Sequence, residues 1–451
     1  MRHKLKAILE RVLAQRAALA AVFAMGIKAS GALLTICVFT LAARAMSADD
    51  FGHLAVWFNA MSFLAVAATF GQDTLIARSL GEYMGQGAHD VAGGAYRYGW
   101  RTTAISAFVF AAGVLVAVPL IGLDVPPAAR IAAAAFLIAQ TLLHYSSHSS
   151  RVLVGFVVSE ANREVTWRIV LLLVVVWAIL NKGLTPAEFF TAGALGMALS
   201  VLIQCVVVRR KFASEPPIVA VESERALWRE RGRHMWLSAI VEAASQYADV
   251  MLIGYFASPA AAGDYFVAAR IANIFLMITT GLNTYSFTHS AKLYFSGNIP
   301  RLQEILRAMV GAAATFATPL LVLIIFFGQT ILSIFGARYV GAYPILLVLA
   351  LAAFVMCLCG SASVILLTTG HERLYSRVVV VATSFRMMLT ALLAVKFGAL
   401  GAACGWALVN APLQMGLAYV CWRACGVDPS ILNFIPRRRV EKAEAALDGA
   451  A

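Results

Sequence analysis

Twelve apolar segments, each long enough to cross a lipid bilayer, constrain the fold of this chain more than any other feature. Because a spanning helix needs about 20 mainly apolar residues, we place them near 17–43, 52–71, 102–123, 129–148, 168–181, 187–208, 235–256, 263–288, 305–328, 343–367, 374–397 and 400–422. Of the 451 residues, 61% are hydrophobic and 13% charged, whereas soluble domains have roughly 45–50% and about 25%. The sequence therefore predicts an all-α polytopic membrane protein with about 12 transmembrane helices, and it excludes soluble enzymes.

The positive charges indicate how these helices are oriented. If the N-terminus is cytoplasmic, 28 of the 36 Lys and Arg residues fall on the cytoplasmic side, five on the opposite side and three within the membrane. Cytoplasmic segments carry an excess of Lys and Arg, so we predict that both termini are cytoplasmic. The net charge of +13 follows from this topology, and we predict no nucleic-acid partner.

A central polar loop divides the apolar segments into two sets of six. The predicted organisation is an amphipathic basic helix on the membrane surface at 1–16, an N-terminal six-helix lobe at 17–208, a cytoplasmic linker at 209–234, a C-terminal six-helix lobe at 235–426 and a basic cytoplasmic tail at 427–451. Short matches between the halves, such as Gly52 with Gly263, indicate an internal repeat. Six helices return the chain to the same side, so the two lobes would surround a central cavity.

Three ionisable residues lie at membrane depth in the seventh and eighth segments: Glu242, Asp249 and Arg270. Each costs roughly 2.5–3.5 kcal/mol at a helix centre, so such residues face a polar interior and mark functional sites. Glu242 and Asp249 are spaced i, i+7 on one helix face, which we interpret as an ion-coupling or gating pair. Buried salt bridges are the alternative, and Asp249 and Arg270 lie at similar depth for such a pair.

Two further cations, Lys28 and Arg386, also lie within apolar segments. Together with Arg270 they suit an anionic head group, and the planar fork of Arg binds phosphate oxygens in pairs. Buried ion pairs or snorkelling side chains are the alternative. Asn59 and Asn273 are predicted to line a sugar path, or else to form hydrogen bonds between helices.

Signals of catalysis and of cofactors are missing from the sequence. The pair His144 and His148 has the i, i+4 spacing of a helical zinc site, but no Glu follows His144 as that motif requires. No phosphate-binding loop is present either. We therefore predict no metal, no cofactor and no catalytic residues. The outer loops are also short, which argues against a membrane glycan polymerase or ligase.

Several short motifs resemble those of Wzx-type O-antigen and exopolysaccharide flippases, which belong to the multidrug/oligosaccharidyl-lipid/polysaccharide exporter superfamily. The motifs are the runs at 249–256, 263–270, 335–339 and 397–403, and the Phe51-Gly52-His53-Leu54 start of the second segment. Arg386 departs from the family pattern, which more often has Asn in that part of the eleventh segment.

The resemblance implies a flippase that moves undecaprenyl-diphosphate-linked oligosaccharide across the bacterial inner membrane by alternating access, for surface polysaccharide biosynthesis. Lys28, Arg270 and Arg386 would hold the diphosphate, and Glu242 and Asp249 would couple to protons or sodium. The implied partners are this lipid-linked substrate, membrane lipids, and the polysaccharide polymerase with its chain-length machinery. The alternative is a cation-coupled multidrug or metabolite antiporter of the same superfamily.

Overall fold

The computed structural model describes residues 26–120, 125–181, 183–212 and 222–434. The regular secondary structure of these ranges is helical throughout, which agrees with the predicted all-α fold. The predicted surface helix at 1–16, the middle of the predicted linker at 213–221 and the tail from residue 435 lie outside the described residues.

The described helices follow one another with short connections. In chain order they are α1 (Gly26–Ala45), α2 (Ala48–Ala68), α3 (Gln72–Gly85), α4 (His89–Leu120), α5 (Pro127–Leu153), α6 (Phe156–Ala161), α7 (Trp167–Asn181), α8 (Pro186–Phe212), α9 (Glu222–Phe256), α10 (Pro259–Phe295), α11 (Ile299–Phe335), α12 (Tyr343–Leu358), α13 (Ala362–Thr368) and α14 (Glu372–Cys425). A π-helical turn, Asn162–Thr166, joins α6 to α7 in one continuous helix.

Ten helices of the described chain are long and apolar enough to cross a membrane. One of them is the 54-residue α14, whose backbone is non-helical at Gly398 (φ 59°), between two of the predicted segments. The 35-residue α9 is not among the ten, because Glu242 and Asp249 lower the hydropathy of its apolar part. The number of twelve spans therefore stays a prediction.

The described chain divides into two compact units. The first contains the residues up to Val267 together with Leu332–Ala342 and Ala391–Ala402, and the second contains Ala268–Ile331, Tyr343–Thr390 and the residues from Ala403. These units differ from the lobes predicted at 17–208 and 235–426, because α9 packs against α2 and α3.

In the first unit, glycines allow α2 to approach the turn between α9 and α10. A Cβ atom on Gly52 would lie 2.0 Å from the carbonyl oxygen of Pro259, and one on Gly263 would lie 3.3 Å from the Cα atom of Gly52. A Cβ on Gly254 would lie 2.3 Å from Cγ2 of Val56. Gly52 and Gly263, which the sequence matches as repeat counterparts, thus lie in direct contact.

The opposite end of α2 contacts α9 as well, so the two helices are antiparallel. The indole N–H of Trp236 donates a hydrogen bond of 2.7 Å to the carbonyl oxygen of Ala67. The ring of Trp236 also stacks on Phe70 with 5.0 Å between ring centroids. Contacts at both ends fix the register of the two helices.

The first turns of α9 pack against α3. Trp228 is fully buried, and its indole N–H donates a hydrogen bond of 2.9 Å to the hydroxyl of Tyr83. That hydroxyl in turn donates to a carboxylate oxygen of Glu224 at 3.1 Å. Burial raises the pKa of Tyr83. Residues 222–234, assigned to a linker from the sequence, therefore belong to a packed helix.

The loop Leu332–Ala342 follows α11 in sequence and belongs to the first unit. The guanidinium of Arg338 donates hydrogen bonds to the carbonyl oxygens of Met46 (3.0 Å) and Ala43 (2.8 Å), and Arg44 donates to the carbonyl oxygen of Ile334. The last carbonyls of a helix have no partner within the helix, so this loop caps the end of α1.

The second unit has its own apolar core, to which α11, α13 and α14 contribute Leu306, Ile365 and Leu417. Gln303 on α11 fixes the segment that follows α14. Its side-chain amide donates to the carbonyl oxygen of Asp428 at 2.7 Å and accepts from the Asp428 backbone N–H at 3.0 Å.

Candidate functional site

The residues proposed from sequence for substrate and ion binding differ widely in burial. Lys28 on α1, Glu242 on α9 and Asn273 on α10 are exposed, and Arg270 on α10 is half-buried. Asn59 on α2, Asp249 on α9 and Arg386 on α14 are buried, with exposed fractions of 4%, 6% and 1%. Of the three cations proposed from sequence, Lys28 is therefore the most accessible, and Arg386 is almost fully buried.

The antiparallel register brings two of these residues to the same level of the first unit. Because Val56 on α2 faces Gly254 on α9, Asn59 lies about one turn further along α2 and Asp249 a little over one turn back along α9. The amide of Asn59 donates to the carbonyl oxygen of Ala55 in its own helix, at 2.7 Å. A buried carboxylate and a buried amide thus share one depth on neighbouring helices.

Glu242 and Asp249 do not share the same environment. Glu242, Ser245 and Gln246 are exposed, while Asp249 is buried. The polar face predicted for this helix is therefore open along most of its length and closed at Asp249. Asp249 belongs to the first unit and Arg270 to the second, so their pairing stays a prediction.

A group of charged residues that the sequence analysis did not single out lies on the continuous helix Phe156–Asn181. Glu164 and Arg168 form an ion pair of 2.8 Å, and the Nε–H of Arg168 donates to the hydroxyl of Thr35 on α1 at 2.7 Å. The guanidinium also stacks over the ring of Trp167, 4.6 Å from its centroid. A Cβ on Gly31 would lie 2.9 Å from the Glu164 carboxylate, so α1 crosses this helix at Glu164.

A second charged group lies nearer the start of the same helix. The Glu160 side chain is only 2% exposed, and it pairs with Arg151 and, at 3.7 Å, with Arg163. The hydroxyl of Ser159 donates to the carbonyl oxygen of Ser147 on α5 at 2.8 Å. This group joins α5 to α6, and it buries a carboxylate between two guanidinium groups.

These groups were missed because the predicted fifth segment, 168–181, begins too late. The structure begins this helix at Phe156, so Glu160, Arg163, Glu164 and Arg168 all lie within a helix of spanning length. Each charge lowers the local hydropathy, but opposite charges three or four residues apart neutralise each other. The i, i+4 spacing of Glu164 and Arg168 was a signal that the sequence contained.

No metal site is visible in the parts of the chain that the structure describes, where no three His, Cys, Asp or Glu side chains are grouped for one. The ring Nδ1 of His148 lies 2.8 Å from the carbonyl oxygen of His144 in the same helix. The ring of His148 is therefore engaged by the backbone of its own helix.

Comparison with family models gives a match to the family described as "Polysaccharide biosynthesis protein" over residues 20–287, which is more than half of the chain. The chain belongs to this polysaccharide biosynthesis family. A second model, MatE, matches residues 235–392. The two matches together place the protein in the superfamily of multidrug, lipid and polysaccharide exporters.

Curated relatives of the family match only in part. A probable flippase, AglR, of Haloferax volcanii is 27% identical over 104 residues, which is 23% of this chain and 22% of that protein. An uncharacterised membrane protein of Methanocaldococcus jannaschii is 24% identical over 46% of this chain and 42% of its own length. The matched region thus spans less than half of either relative.

Solved structures support the fold over most of the chain. An inward-facing multidrug resistance MATE transporter aligns with a TM-score of 0.69 and 12% identity, covering 89% of this chain and 98% of its own. The lipid II flippase MurJ, in an inward closed conformation, aligns with a TM-score of 0.66 and 11% identity, covering 89% and 86%. This member of the polysaccharide biosynthesis family is therefore a multi-pass membrane protein with a MATE- and MurJ-like fold, and the families that it matches are families of transporters, not of enzymes.

Proposed function

We propose that the protein moves an undecaprenyl-diphosphate-linked oligosaccharide from the cytoplasmic to the outer leaflet of the bacterial inner membrane, by alternating access, for surface polysaccharide biosynthesis. The observation that carries this proposal is the exposed ammonium of Lys28 on α1, within the residues that match the polysaccharide family model, and we propose that Arg270 contacts the substrate as well. A cation in a lipid-surrounded helix is costly unless it meets an anion, and a diphosphate supplies that anion.

The proposed orientation has both termini in the cytoplasm. Its support is the excess of Lys and Arg on that side in the sequence. Arg163 and Arg168 lie within a helix of spanning length, so they are no longer counted on the cytoplasmic side. That side still carries more Lys and Arg than the opposite side. We further propose that the transported lipid passes to a polysaccharide polymerase and its chain-length machinery, because a translocated repeat unit needs an enzyme that joins it to others.

A cation-coupled multidrug or metabolite antiporter is the second candidate. It is favoured by the MatE match over residues 235–392 and by the multidrug transporters among the structural neighbours. The buried carboxylate of Asp249, level with Asn59, would suit the binding of a proton or sodium ion in either candidate. The exposed Lys28 on α1 favours an anionic substrate over a cationic drug.

Reconstituted vesicles separate the two candidates. Vesicles with the purified protein receive a fluorescent undecaprenyl-diphosphate saccharide in one leaflet or, separately, ethidium as a cationic drug. We expect transfer of the lipid between leaflets, and loss of at least tenfold in rate for Lys28→Ala and Arg270→Ala at equal protein content. Lys396→Ala, which removes an exposed lysine of α14, is the matched control and keeps the rate.

Ethidium export without lipid transfer would favour the antiporter and contradict the proposal.

The role of Asp249 is tested in the same vesicles. Asp249→Asn should make the rate of lipid transfer independent of an imposed proton or sodium gradient. The amide can neither take up a proton nor attract a sodium ion with a negative charge. If the dependence on the gradient is unchanged, Asp249 has only a structural role.

A further inference from the structure

Arg168 lies near the middle of a membrane-spanning helix. The continuous helix Phe156–Asn181 has 26 residues, and at 1.5 Å per residue Arg168 lies about 18 Å from its first residue and about 20 Å from its last. The helix is thus longer than the hydrocarbon core of a bilayer, about 30 Å, and an arginine within its apolar part faces an interior path or a partner.

The guanidinium of Arg168 is held by several contacts, but not all of its N–H groups donate hydrogen bonds to the described residues. Its Nε–H bonds Thr35 and its Nη1 bonds both the carboxylate and the backbone carbonyl of Glu164. The second terminal nitrogen, Nη2, has no hydrogen-bond partner among the residues that the structure describes. The side chain is 18% exposed. A fixed arginine therefore presents one terminal amino group, Nη2, with two N–H donors.

The guanidinium lies beside helix α1, which also carries Lys28. Its partner Thr35 is seven residues, about two helical turns, from Lys28, and Glu164 packs against Gly31 between them. The π-helical turn Asn162–Thr166 contains Glu164 and ends two residues before Arg168, and such turns are frequent at functional sites.

We propose that Arg168 contacts the phosphate oxygens of the transported lipid through its Nη2 group, and that Glu164 is a built-in counter-ion that keeps this contact weak enough for release. The inference rests on the proposed transport of a diphosphate lipid and adds a phosphate contact on the sixth and seventh helices. Thr35 and Trp167 orient the guanidinium, so that little side-chain freedom is lost when the ligand binds.

The role of Glu164 follows from its charge and distance. Its carboxylate lies 2.8 Å from Arg168. A phosphate bound to Nη2 of the same guanidinium therefore meets a nearby negative charge. Like charges at this separation repel in a low-dielectric site. A transporter must release its cargo after each cycle, and an uncompensated arginine at this depth would retain a diphosphate too tightly.

The test measures binding of farnesyl diphosphate, a short polyprenyl diphosphate, to the purified full-length protein by calorimetry. Farnesol, which lacks the charge, is titrated in parallel. A charge-assisted hydrogen bond of the usual strength corresponds to about tenfold in Kd. We expect Arg168→Gln to weaken binding about tenfold and Glu164→Gln to tighten it several-fold, with farnesol affinity unchanged in both. Arg168→Lys keeps the charge without the fork and should fall between wild type and Arg168→Gln.

Two further variants keep the result interpretable if Arg168→Gln alone folds poorly. The double variant Glu164→Gln/Arg168→Gln removes both charges together and should bind as weakly as the single Arg168→Gln. Arg163→Gln removes a guanidinium from the same helix that pairs with Glu160 instead, and it should bind like wild type. Equal affinities of wild type, Glu164→Gln and the double variant would overturn the inference.

The inference and the proposed function fail in different ways. Wild-type vesicles that transfer the undecaprenyl lipid, combined with unchanged farnesyl diphosphate binding in the variants, contradict only the role of Arg168. Wild-type protein that binds farnesyl diphosphate through Arg168 but transfers no lipid contradicts the proposed function instead.

Discussion

Two helices of the first unit carry charges at membrane depth in opposite ways. On the helix Phe156–Asn181, the acidic residues Glu160 and Glu164 each have an arginine three or four residues away. On α9, Glu242 and Asp249 are seven residues apart, and the turns between them carry no basic residue. The first helix neutralises its carboxylates with arginines of its own. The two carboxylates of α9 need a partner from another helix or contact with water.

The difference explains what a hydropathy profile detects. Isolated carboxylates within an apolar run stand out, and α9 was recognised for that reason. A cluster of paired charges lowers the mean hydropathy over a whole turn and moves the apparent start of the apolar segment. For this reason the segment was predicted to start at 168, whereas the helix begins at Phe156. Paired charges thus moved the predicted start of one membrane helix, and the unpaired carboxylates of α9 lower its hydropathy so far that it is not among the ten apolar helices.

The largest expected effect is on the buried carboxylate of the first helix. Glu160→Gln leaves Arg151 and Arg163 facing each other without a negative charge between them. Breaking a buried pair from one side typically costs 3–5 kcal/mol, and because both arginines are partly exposed we expect about 3 kcal/mol. Thermal unfolding of the purified variant measures this loss. A variant as stable as wild type would mean that the carboxylate is not needed for local neutrality.

A smaller effect is expected where α9 depends on packing instead of charge. Gly52→Ala places a methyl group against the carbonyl of Pro259 in the turn that ends α9. A backbone atom cannot move away by changing rotamer, so we expect a loss of about 2 kcal/mol, within the range for overpacking. Gly113→Ala is the matched control, since its added methyl meets nothing within 4 Å. Equal stability of both variants would show that α2 and α9 are less closely packed.

The sequence predicted the apolar helices well but not the contacts that fix them. Apolar runs of about 20 residues are a local property, and they predicted the all-α membrane fold directly. The repeat match of Gly52 with Gly263 was also readable, although nothing in it indicated that the two glycines touch. The capping of α1 by Arg338 joins residues almost 300 positions apart, and no local pattern encodes such a pair. The contact of Arg168 with Thr35 is of the same kind, because Thr35 lies on another helix, whereas the i, i+4 pair of Arg168 with Glu164 is a local pattern.

The first turns of α9 are held to α3 by an ion pair of Arg231 with Glu82 and by the hydrogen bonds of Tyr83. Tyr83→Phe removes the acceptor of Trp228 and the donor to Glu224, and one such bond contributes about 1 kcal/mol. Burial raises the pKa of Tyr83 above its usual 10, so the folded state favours the neutral phenol. That contribution is complete below pH 10 and is lost as the pH rises through the folded-state pKa. Unfolding measured from pH 8 to 11 should therefore show a steeper alkaline loss for wild type than for Tyr83→Phe.

The smallest expected change in stability is at Glu242, and it tests whether this side of α9 faces a wet path. Glu242→Gln makes the same chemical change as Glu160→Gln, but on an exposed side chain without a neighbouring arginine in its own helix. If Glu242 faces a wet path, the amide and the carboxylate are solvated alike, and stability should change by less than about 0.5 kcal/mol. If it faces lipid, removal of the charge should stabilise the protein by about 2 kcal/mol or more. Parallel unfolding of both Glu→Gln variants in lipid nanodiscs distinguishes these outcomes, and stabilisation by Glu242→Gln would contradict an inward-facing role for this residue.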